Sequence, residues 1–317
     1  MKRIAIIGAG SWGTALAIMA SRGGHQVLLW RRSSQKSIQL PSSVNVTTEL
    51  NAALDQAELV LFAAPSHAAR ELFTQIGPHL TGATIIVSAA KGIEIETGKR
   101  ISEIVKEIAG TTNPFVCLSG PSFAKEVIAG HPTAIVAASK DAAAARAVQS
   151  DLSFENLRIY TNADVIGTEI GGSVKNVMAI AAGMATGLGF GSNSVAALIT
   201  RGLAEITRLA RREGAQVETL MGLAGLGDLV LTCTGTLSRN RFVGEELGKG
   251  KQLDQITAEL NEVAEGIKTA RAVKQIADRT NLEMPIVNEV YAVLYEGKSA
   301  RDAVSDLMSR PLREELS

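Results

Sequence analysis

The chain has 317 residues, of which 46% are hydrophobic and 20% are charged. This composition excludes a disordered chain, and the length is sufficient for two domains with separate cores. The formal net charge is zero, which argues against nucleic acid or an anionic membrane surface as a general partner. The two cysteines, Cys117 and Cys233, are far apart and lack metal-ligand spacing. We therefore expect no disulfide framework, no metal site and a cytoplasmic location.

The first half of the chain alternates apolar runs with helix-patterned segments. The runs are rich in β-branched residues and do not alternate with polar ones, which is typical of parallel strands buried on both faces. A helix after most of the strands favours a doubly wound sheet. The predicted strands are Arg3–Ile7, Gln26–Leu29, Leu59–Ala63, Thr84–Ser88, Phe115–Leu118, Thr133–Val136 and Leu157–Tyr160, and the predicted helices between them are Trp12–Ser21, Ala68–Ile76, Gly98–Ile108 and Asp141–Val148.

After about Tyr160 the strand pattern ends and helix follows helix. The sequence TNAD at residues 161–164 supplies turn and helix N-cap residues, so we place a domain boundary there. Residues 1–163 are expected to form a Rossmann-type α/β domain with a mainly parallel sheet, and residues 164–317 an all-α domain. The predicted helices of the second domain are Val165–Leu188, Ser194–Glu213, Gln216–Leu223, Arg239–Leu247, Val263–Asp278 and Pro285–Tyr295. No uncharged apolar run reaches the roughly 18 residues of a membrane span, so we expect no membrane insertion.

The first predicted strand is followed directly by GAGSWG, which contains Gly8, Gly10 and Gly13. At a junction between a strand and a helix, one such glycine makes a tight turn and one lets the backbone approach a pyrophosphate. The third permits close packing of the helix on the strand. The N–H groups at the start of the helix then meet the phosphates. The motif predicts dinucleotide binding; the alternative is that these glycines are turn residues only.

The end of the second predicted strand bears on which dinucleotide is used. Proteins that bind NAD usually have Asp or Glu there, for the ribose 2′-hydroxyl, whereas this chain has Arg31 and Arg32. Arginine can bind a 2′-phosphate and stack on adenine. NADPH is therefore favoured as the cofactor, with NADH as the alternative, and one of the two arginines is expected to be a solvated loop charge.

Polar residues follow two later strands, at the edge of the sheet where ligands bind in such folds. Lys91 follows the strand that ends at Ser88, and Gly120 and Ser122 follow the strand that ends at Leu118. The second of these segments begins a helix, whose N–H groups can hold an anion. For Lys91 the alternative is an ordinary surface charge.

Lys175 lies in the middle of a helix pattern of small and apolar residues, EIGGSVKNVMAIAAGMATG. Burial there would disfavour the ammonium ion and lower the pKa of Lys175, which suits a group that gives and takes a proton near neutral pH. Gly171 and Gly172, one turn earlier, are expected to leave room for a ligand against the helix backbone. The alternative is a lysine that extends from the helix surface into water.

A glycine-rich segment further along the chain contains Asp228 and is followed by Ser238, Arg239 and Asn240. A guanidinium with hydroxyl and amide neighbours is well suited to bind phosphate. Asp228 is suited to accept a hydrogen bond from a substrate hydroxyl or to pair with a lysine. The alternative is that the Ser-Arg-Asn sequence forms an ordinary turn and binds no ligand.

Together these motifs resemble those of the bacterial NAD(P)-dependent sn-glycerol-3-phosphate dehydrogenases, over nearly the whole chain. The similar stretches are GAGSWGTALA, SAAKGIE, LSGPSFAKEV, GGSVKNVMAIAAGMATGLGFGSN, ITRGLAEITRL, GLAGLGDLVLTCTGTLSRNR and NEVAEGIKTA. The resemblance implies reversible reduction of dihydroxyacetone phosphate to sn-glycerol 3-phosphate with NADPH or NADH, with Lys175 as the catalytic proton acceptor. It also implies that the product supplies glycerophospholipid synthesis.

The resemblance further implies roles for individual residues. Between Arg32 and Leu40 the chain is shorter than the family pattern, on the side that contacts adenine, which weakens the expectation of an NADPH preference. The implied substrate-binding residues are Lys91, Gly120, Ser122, Lys175, Asp228, Ser238, Arg239 and Asn240. The cofactor-binding residues are Gly8, Gly10, Ser11, Trp12, Gly13, Arg31 or Arg32, Lys91, Ala124, Arg239, Val263 and Glu265.

Two other functions fit parts of the pattern. A dehydrogenase of similar build that acts on 6-phosphogluconate or ketopantoate would need cations for a carboxylate. A non-catalytic sensor of the NADPH/NADP ratio would need no buried lysine. The expected partner is a phosphorylated three-carbon substrate, and a homodimer is the assembly that we favour.

Overall fold

The computed structural model describes residues 1–33, 40–260, 263–312 and 314–315. Its sheet contains eight strands in the order β3-β2-β1-β4-β5-β6-β7-β8, and neighbouring strands are parallel except for the antiparallel β6–β7 pair. The mainly parallel sheet predicted from the sequence is thereby confirmed. The strands are β1 Arg3–Ile7, β2 Gln26–Trp30, β3 Val44–Thr47, β4 Leu59–Phe62, β5 Ile85–Ser88, β6 Phe115–Ser119, β7 Thr133–Ala138 and β8 Leu157–Asn162.

Helices cover both faces of this sheet. On β1, Ile4 and Ile6 belong to one apolar layer, together with α1, α5 and α6, while Ala5 and Ile7 belong to a second layer with α2, α3 and α4. Because both faces are buried, the strands show no polar alternation. These helices are α1 Ser11–Arg22, α2 Leu50–Leu54, α3 Ala69–Ile76, α4 Ile101–Ala109, α5 Ala124–Ile128 and α6 Ala142–Leu152.

The edge strand β3 is absent from the sequence prediction. Its four residues read VNVT, and only Val44 is buried, so no apolar run marks the strand. The predicted shortening of the chain between Arg32 and Leu40 falls largely on residues 34–39, which lie outside the described residues.

The rest of the described chain is helical, and the central element is the 23-residue helix α7, Val165–Gly187. Asp164 caps α7 by accepting a hydrogen bond from the N–H of Gly167 at 2.9 Å. The predicted domain boundary falls in the connection between Asn162, where β8 ends, and this cap. The other helices are α8 Ser192–Arg212, α9 Val217–Met221, α10 Asp228–Thr234, α11 Arg239–Gly248, α12 Leu253–Glu259, α13 Glu265–Thr280, α14 Pro285–Tyr295 and α15 Ala300–Met308.

Small residues let the other helices approach α7 closely. A Cβ atom at Gly183 would lie 2.1 Å from the carbonyl oxygen of Arg241, and one at Gly244 would lie 2.0 Å from that of Ile180. Neither position can carry a side chain, because backbone would have to move. The backbones of α7 and α11 are therefore in direct contact, and side chains from the two helices reach one site. Among the described helices, none is long and apolar enough to cross a membrane.

Candidate active site

A cleft of about 600 Å³ lies at the carboxyl ends of the parallel strands and extends to α7, α10 and α11. This is the edge at which ligands bind in doubly wound sheets. Most of the predicted site residues line it, from both parts of the chain. They are Gly8, Gly10, Ser11, Trp12, Arg31, Arg32, Lys91, Ser122, Lys175, Ser238, Arg239, Asn240, Val263 and Glu265.

The three glycines of the amino-terminal motif differ in what a side chain at each position would meet. Gly8 has φ +115°, and a Cβ there would lie 2.6 Å from the backbone nitrogen of Ala64. A Cβ on Gly13 would lie 1.9 Å from the carbonyl oxygen of Gly8. Gly8 and Gly13 are thus required by the fold itself. A Cβ on Gly10 would meet nothing within 4 Å, so this glycine leaves open space in the cleft at the N-terminus of α1, where an anion is favoured.

Lys175 is only 5% exposed, although it lines the cleft. Its Nζ donates hydrogen bonds to Oδ1 of Asp228 and, at 2.8 Å, to Oγ1 of Thr232. Burial lowers the pKa of Lys175 to about 7; the negative charge of Asp228 opposes this effect, and the positive charge of Lys91 adds to it. The alternative of a lysine that extends into bulk water is therefore wrong. The ammonium and amine forms are both accessible near neutral pH.

Lys91 reaches the same carboxylate from the other side. Its Nζ lies 2.7 Å from Oδ2 of Asp228 and 3.2 Å from the carbonyl oxygen of Gly120. Asp228 is 1% exposed, so one buried carboxylate bridges two ammonium groups. Gly120 has φ +138°, and a Cβ there would lie 2.9 Å from the Cα of Ile135. Asp228 and Gly120 thus lie behind the cleft surface, where Asp228 contacts both lysines and Gly120 contacts Lys91.

The Ser-Arg-Asn sequence begins α11, and its three side chains have different surroundings. Ser238 caps the helix by accepting a hydrogen bond from the N–H of Arg241 at 3.2 Å. Asn240 is buried; its Nδ2 donates to Oδ1 of Asn176 at 3.0 Å, and its Oδ1 accepts from the N–H of Gly266 at 2.9 Å. Arg239 is exposed and lines the cleft. The guanidinium of Arg239 is therefore the group of the three that can move to meet an anion.

Three further predicted residues, Glu265, Ser122 and Ala124, lie in or near the cleft. Glu265 accepts a hydrogen bond from the N–H of Ser66 at 2.9 Å, and burial raises the pKa of its carboxyl while that N–H opposes the shift. Ser122 donates to the carbonyl oxygen of Gly120 at 2.9 Å. Ala124 is the first residue of α5 and packs against the core rather than lining the cleft. Its side chain can contribute little to a ligand site.

The expectation that Gly171 and Gly172 leave room for a ligand is wrong. A Cβ on Gly171 would lie 2.6 Å from the carbonyl oxygen of Ala224, and one on Gly172 would lie 2.6 Å from Oγ of Ser119. Protein atoms already fill both places. The two glycines instead let α7 pack against β6 and against the π-helical turn Leu223–Gly227.

Sequence reasoning overlooked Thr232 and Asn176, and both line the cleft. Thr232 accepts from Lys175 and donates to the carbonyl oxygen of Asp228 at 2.6 Å. The sequence feature that could have identified Thr232 is its position four residues after Asp228, because that spacing places both side chains on one face of a helix. The glycines before Asp228 obscured that helix. Within the described ranges, no group of three or more His, Cys, Asp or Glu side chains is arranged to hold a metal ion.

Comparison with known proteins gives the family. The model for the amino-terminal part of NAD-dependent glycerol-3-phosphate dehydrogenases matches residues 3–145, and the model for the carboxyl-terminal part matches residues 164–305. A glycerol-3-phosphate dehydrogenase [NAD(P)+] from Koribacter versatilis is 51% identical over 100% of this chain and 99% of its own length. One from Citrifermentans bemidjiense is 47% identical over 99% of each chain.

A solved structure agrees. The glycerol-3-phosphate dehydrogenase of Coxiella burnetii is 38% identical and superposes with a TM-score of 0.94, covering 98% of this chain and 99% of its own. The similarity therefore extends over both the sheet and the helices that enclose the cleft. The chain belongs to the NAD-dependent glycerol-3-phosphate dehydrogenase family, and it is an NAD(P)-dependent oxidoreductase.

Proposed function

We propose that the chain catalyses the reversible reduction of dihydroxyacetone phosphate to sn-glycerol 3-phosphate, with NADPH or NADH. The observation that carries this proposal is the buried Lys175 in a cleft that the glycine motif and Arg239 also line. The names of the relatives, glycerol-3-phosphate dehydrogenase [NAD(P)+], support this substrate pair. A mere dinucleotide sensor gives no reason to bury a lysine beside the cofactor cleft, since the burial costs free energy.

The cofactor would bind along the carboxyl edge of the sheet. The open space at Gly10 and the N-terminus of α1 fit a pyrophosphate. Arg31 and Arg32 would meet the adenosine end, where a 2′-phosphate favours NADPH. Ser11, Trp12, Val263 and Glu265 would complete the cofactor side. Gly13 would act only through the close packing of α1, and Ala124 packs against the core. When bound, the nicotinamide supplies the hydride.

Lys175 would transfer the proton. As the carbonyl carbon is reduced, its oxygen becomes an alkoxide, and the ammonium group of Lys175 gives that oxygen a proton. The lysine is then left as a neutral amine. In the reverse direction the amine takes the proton from the C2 hydroxyl. Asp228 holds the Nζ in place throughout, and its negative charge limits how far burial lowers the pKa of the lysine.

The other polar residues would bind the substrate. The guanidinium of Arg239 presents a planar set of donors that matches a phosphate, and Ser238 and Asn240 flank it on α11. Lys91 would orient the reacting end, held by Asp228 and the carbonyl oxygen of Gly120. Ser122 lies on the same loop as Gly120 and lines the cleft.

On this basis residues 1–163 bind the dinucleotide and residues 164–317 supply the proton donor and most of the substrate site. Glycerol 3-phosphate carries two free hydroxyl groups that can be acylated, so we infer that the product enters glycerophospholipid synthesis. We also propose that the protein works as a homodimer, which sedimentation of the purified chain would test.

A substrate panel tests the proposal. The loss of NADPH absorbance, and separately that of NADH, is followed after addition of dihydroxyacetone phosphate or ketopantoate; the oxidation of 6-phosphogluconate is followed with NADP. We expect turnover with dihydroxyacetone phosphate and none above background with the two acids. Tight binding of NADPH without turnover of any of the three would refute the proposal and favour the sensor.

A further inference from the structure

A buried carboxylate outside the cleft takes no part in the mechanism above. Glu169 lies on α7, is 6% exposed and does not line the cleft. Its Oε1 accepts a hydrogen bond from the N–H of Ser102 at 2.8 Å, and its Oε2 accepts from Oγ of Ser102 at 2.5 Å. Oε2 also accepts from Nη1 of Arg100 at 3.1 Å. Glu169 therefore joins the helix of the proton donor to the start of α4, which packs on the sheet.

Arg100 ends the loop that begins with Lys91. An isolated antiparallel bridge joins Ile93 to Arg100, and the N–H of Glu94 donates to the carbonyl oxygen of Lys99 at 2.9 Å. The loop from Lys91 to Arg100 is thus folded on itself rather than extended. The side chain of Ile93 is 5% exposed and packs in the core cluster that contains residues of α7. The position of Arg100 is therefore coupled to that of Lys91 through the fold of this loop.

Two ionic contacts join this loop to the helical part of the chain. One is the contact of Lys91 with Asp228, and the other is that of Arg100 with Glu169. Glu169 and Lys175 are six residues apart on α7, about 9 Å along the helix axis. The Arg100–Glu169 pair thus holds α7 against one end of the loop, and the Lys91–Asp228 pair holds the other end of the loop against α10.

We propose that Glu169 is a positioning residue, whose ion pair with Arg100 holds the Lys91 loop against α7 so that Lys91 and Lys175 meet the carboxylate of Asp228 together. This role rests on the proposed function, because it assumes that both lysines act on the substrate. A buried ion pair contributes little net stability compared with apolar residues. What it supplies here is a fixed geometry, which proton transfer and substrate orientation require.

A shift in the pH profile of the reaction distinguishes a positioning role of Glu169 from a contribution to stability alone. The titratable groups that face Lys175 among the described residues are Asp228 and Cys233 on α10 and Lys91 on its loop. The positive charge of Lys91 lowers the pKa of Lys175. If the loop moves away, this effect weakens and the pKa of Lys175 rises. In the reduction direction the protonated lysine is the active form, so the falling limb of the pH profile moves to higher pH.

The variant Glu169→Gln keeps the size of the side chain and removes its charge. We expect kcat for dihydroxyacetone phosphate to fall between about tenfold and 10²-fold, as for a displaced catalytic group, and the pH midpoint to rise. Arg100→Lys keeps the positive charge but loses the planar set of guanidinium donors, so it should also lower kcat and raise the pH midpoint. The matched control is Glu103→Gln: Glu103 also pairs with Arg100, at 2.8 Å, but its side chain is 40% exposed, and no hydrogen bond or ion pair among the described residues joins it to α7. The control should behave as wild type.

The pKa of Lys175 is also measured without substrate. Its acetylation by acetic anhydride is followed by mass spectrometry over a pH series, and the midpoint of that titration is compared between variants. A higher midpoint in both Glu169→Gln and Arg100→Lys supports the positioning role. A lower melting temperature with unchanged kcat and an unchanged acetylation midpoint would overturn it. If the wild type does not reduce dihydroxyacetone phosphate, the proposed function fails, and the acetylation midpoint still decides whether Glu169 positions the two lysines.

Discussion

Lys175 and Asp228 form an ion pair that is shielded from solvent, since the lysine is 5% and the aspartate 1% exposed. The second oxygen of the same carboxylate is occupied by Lys91 at 2.7 Å. When Lys175 is protonated, two cations with one anion leave a net positive charge in this part of the cleft. Such a charge suits a site for a phosphorylated substrate whose carbonyl oxygen becomes an alkoxide.

Removal of the shared carboxylate should be costly for both folding and activity. In Asp228→Asn the two ammonium groups would face each other across a neutral amide. We expect the free energy of unfolding to fall by about 3–5 kcal/mol, as for other broken buried pairs. We expect kcat/KM to fall by about 10² or more as Lys175 loses its orientation. Urea unfolding and initial rates check this, with the exposed Asp254→Asn as a control. Wild-type kcat/KM in the Asp228→Asn variant would contradict the role given to Asp228.

The pH dependence should have opposite signs in the two directions. The pKa of Lys175 is lowered to about 7. Reduction needs the ammonium form, so kcat/KM for dihydroxyacetone phosphate should be level below this pKa and fall about tenfold per pH unit above it. Oxidation of glycerol 3-phosphate needs the amine, so its kcat/KM should rise up to the same pKa and then level off. Initial rates in both directions over a shared buffer series measure the two profiles; two limbs that move in the same direction would argue against Lys175 as the proton donor.

Two glycines of the same motif should respond differently to alanine. Gly8→Ala places a Cβ at φ +115° and 2.6 Å from the backbone, which we expect to destabilise the fold by at least about 1–3 kcal/mol. Gly10→Ala meets nothing within 4 Å and should cost at most about 1 kcal/mol as a poorer N-cap. It should nevertheless weaken NADPH binding about tenfold or more, equivalent to about 1.4 kcal/mol.

Urea unfolding gives the stability of both variants. Both tryptophans, Trp12 and Trp30, line the cleft, so their fluorescence reports NADPH binding. If Gly10→Ala binds NADPH as the wild type does, the pyrophosphate does not lie against this glycine.

The phosphate-binding role that we propose for Arg239 can be tested against a matched control two residues away. Arg239 lines the cleft, whereas Arg241 pairs with Glu245 at 3.4 Å on the same helix and does not line it. Loss of a charged hydrogen bond costs about 1.5–3 kcal/mol. We therefore expect Arg239→Gln to raise the KM for dihydroxyacetone phosphate by roughly ten- to a hundredfold, and Arg241→Gln to leave it unchanged. Steady-state kinetics at saturating NADPH provide both values, and equal effects of the two changes would count against a specific phosphate contact at Arg239.

Strongly patterned elements could be predicted from the sequence. The sequence predicts β1 and α14 with their observed bounds. A continuous apolar run marks the buried strand, and Pro285 marks the first residue of the helix. The sequence pattern misses α10, since glycines precede it and lower its apparent helix propensity. It misses β3 because an edge strand with one buried residue needs no apolar run.

The candidate site could be predicted as a set of residues but not as a geometry. The burial of Lys175 follows from its neighbours in the helix. The sharing of Asp228 by Lys91 and Lys175 does not, because the three residues are distant in sequence and meet only through packing of α7 against the sheet and of α10 against α7. Gly171 and Gly172 were misassigned for the same reason: sequence shows where a side chain is missing, but not whether a ligand or another segment fills the space.

The central claim is that Lys175 transfers the proton in a dihydroxyacetone phosphate reductase. The most direct test is the initial rate of NADPH loss with this substrate for the wild type and for Lys175→Met, which keeps the apolar stem and removes the amine. Tryptophan fluorescence confirms that the variant still binds NADPH. The account predicts turnover by the wild type and a fall in kcat of about 10² or more in the variant, as expected for a lost general acid. A variant that keeps the wild-type rate, or a wild type that binds NADPH and does not turn over, would contradict it.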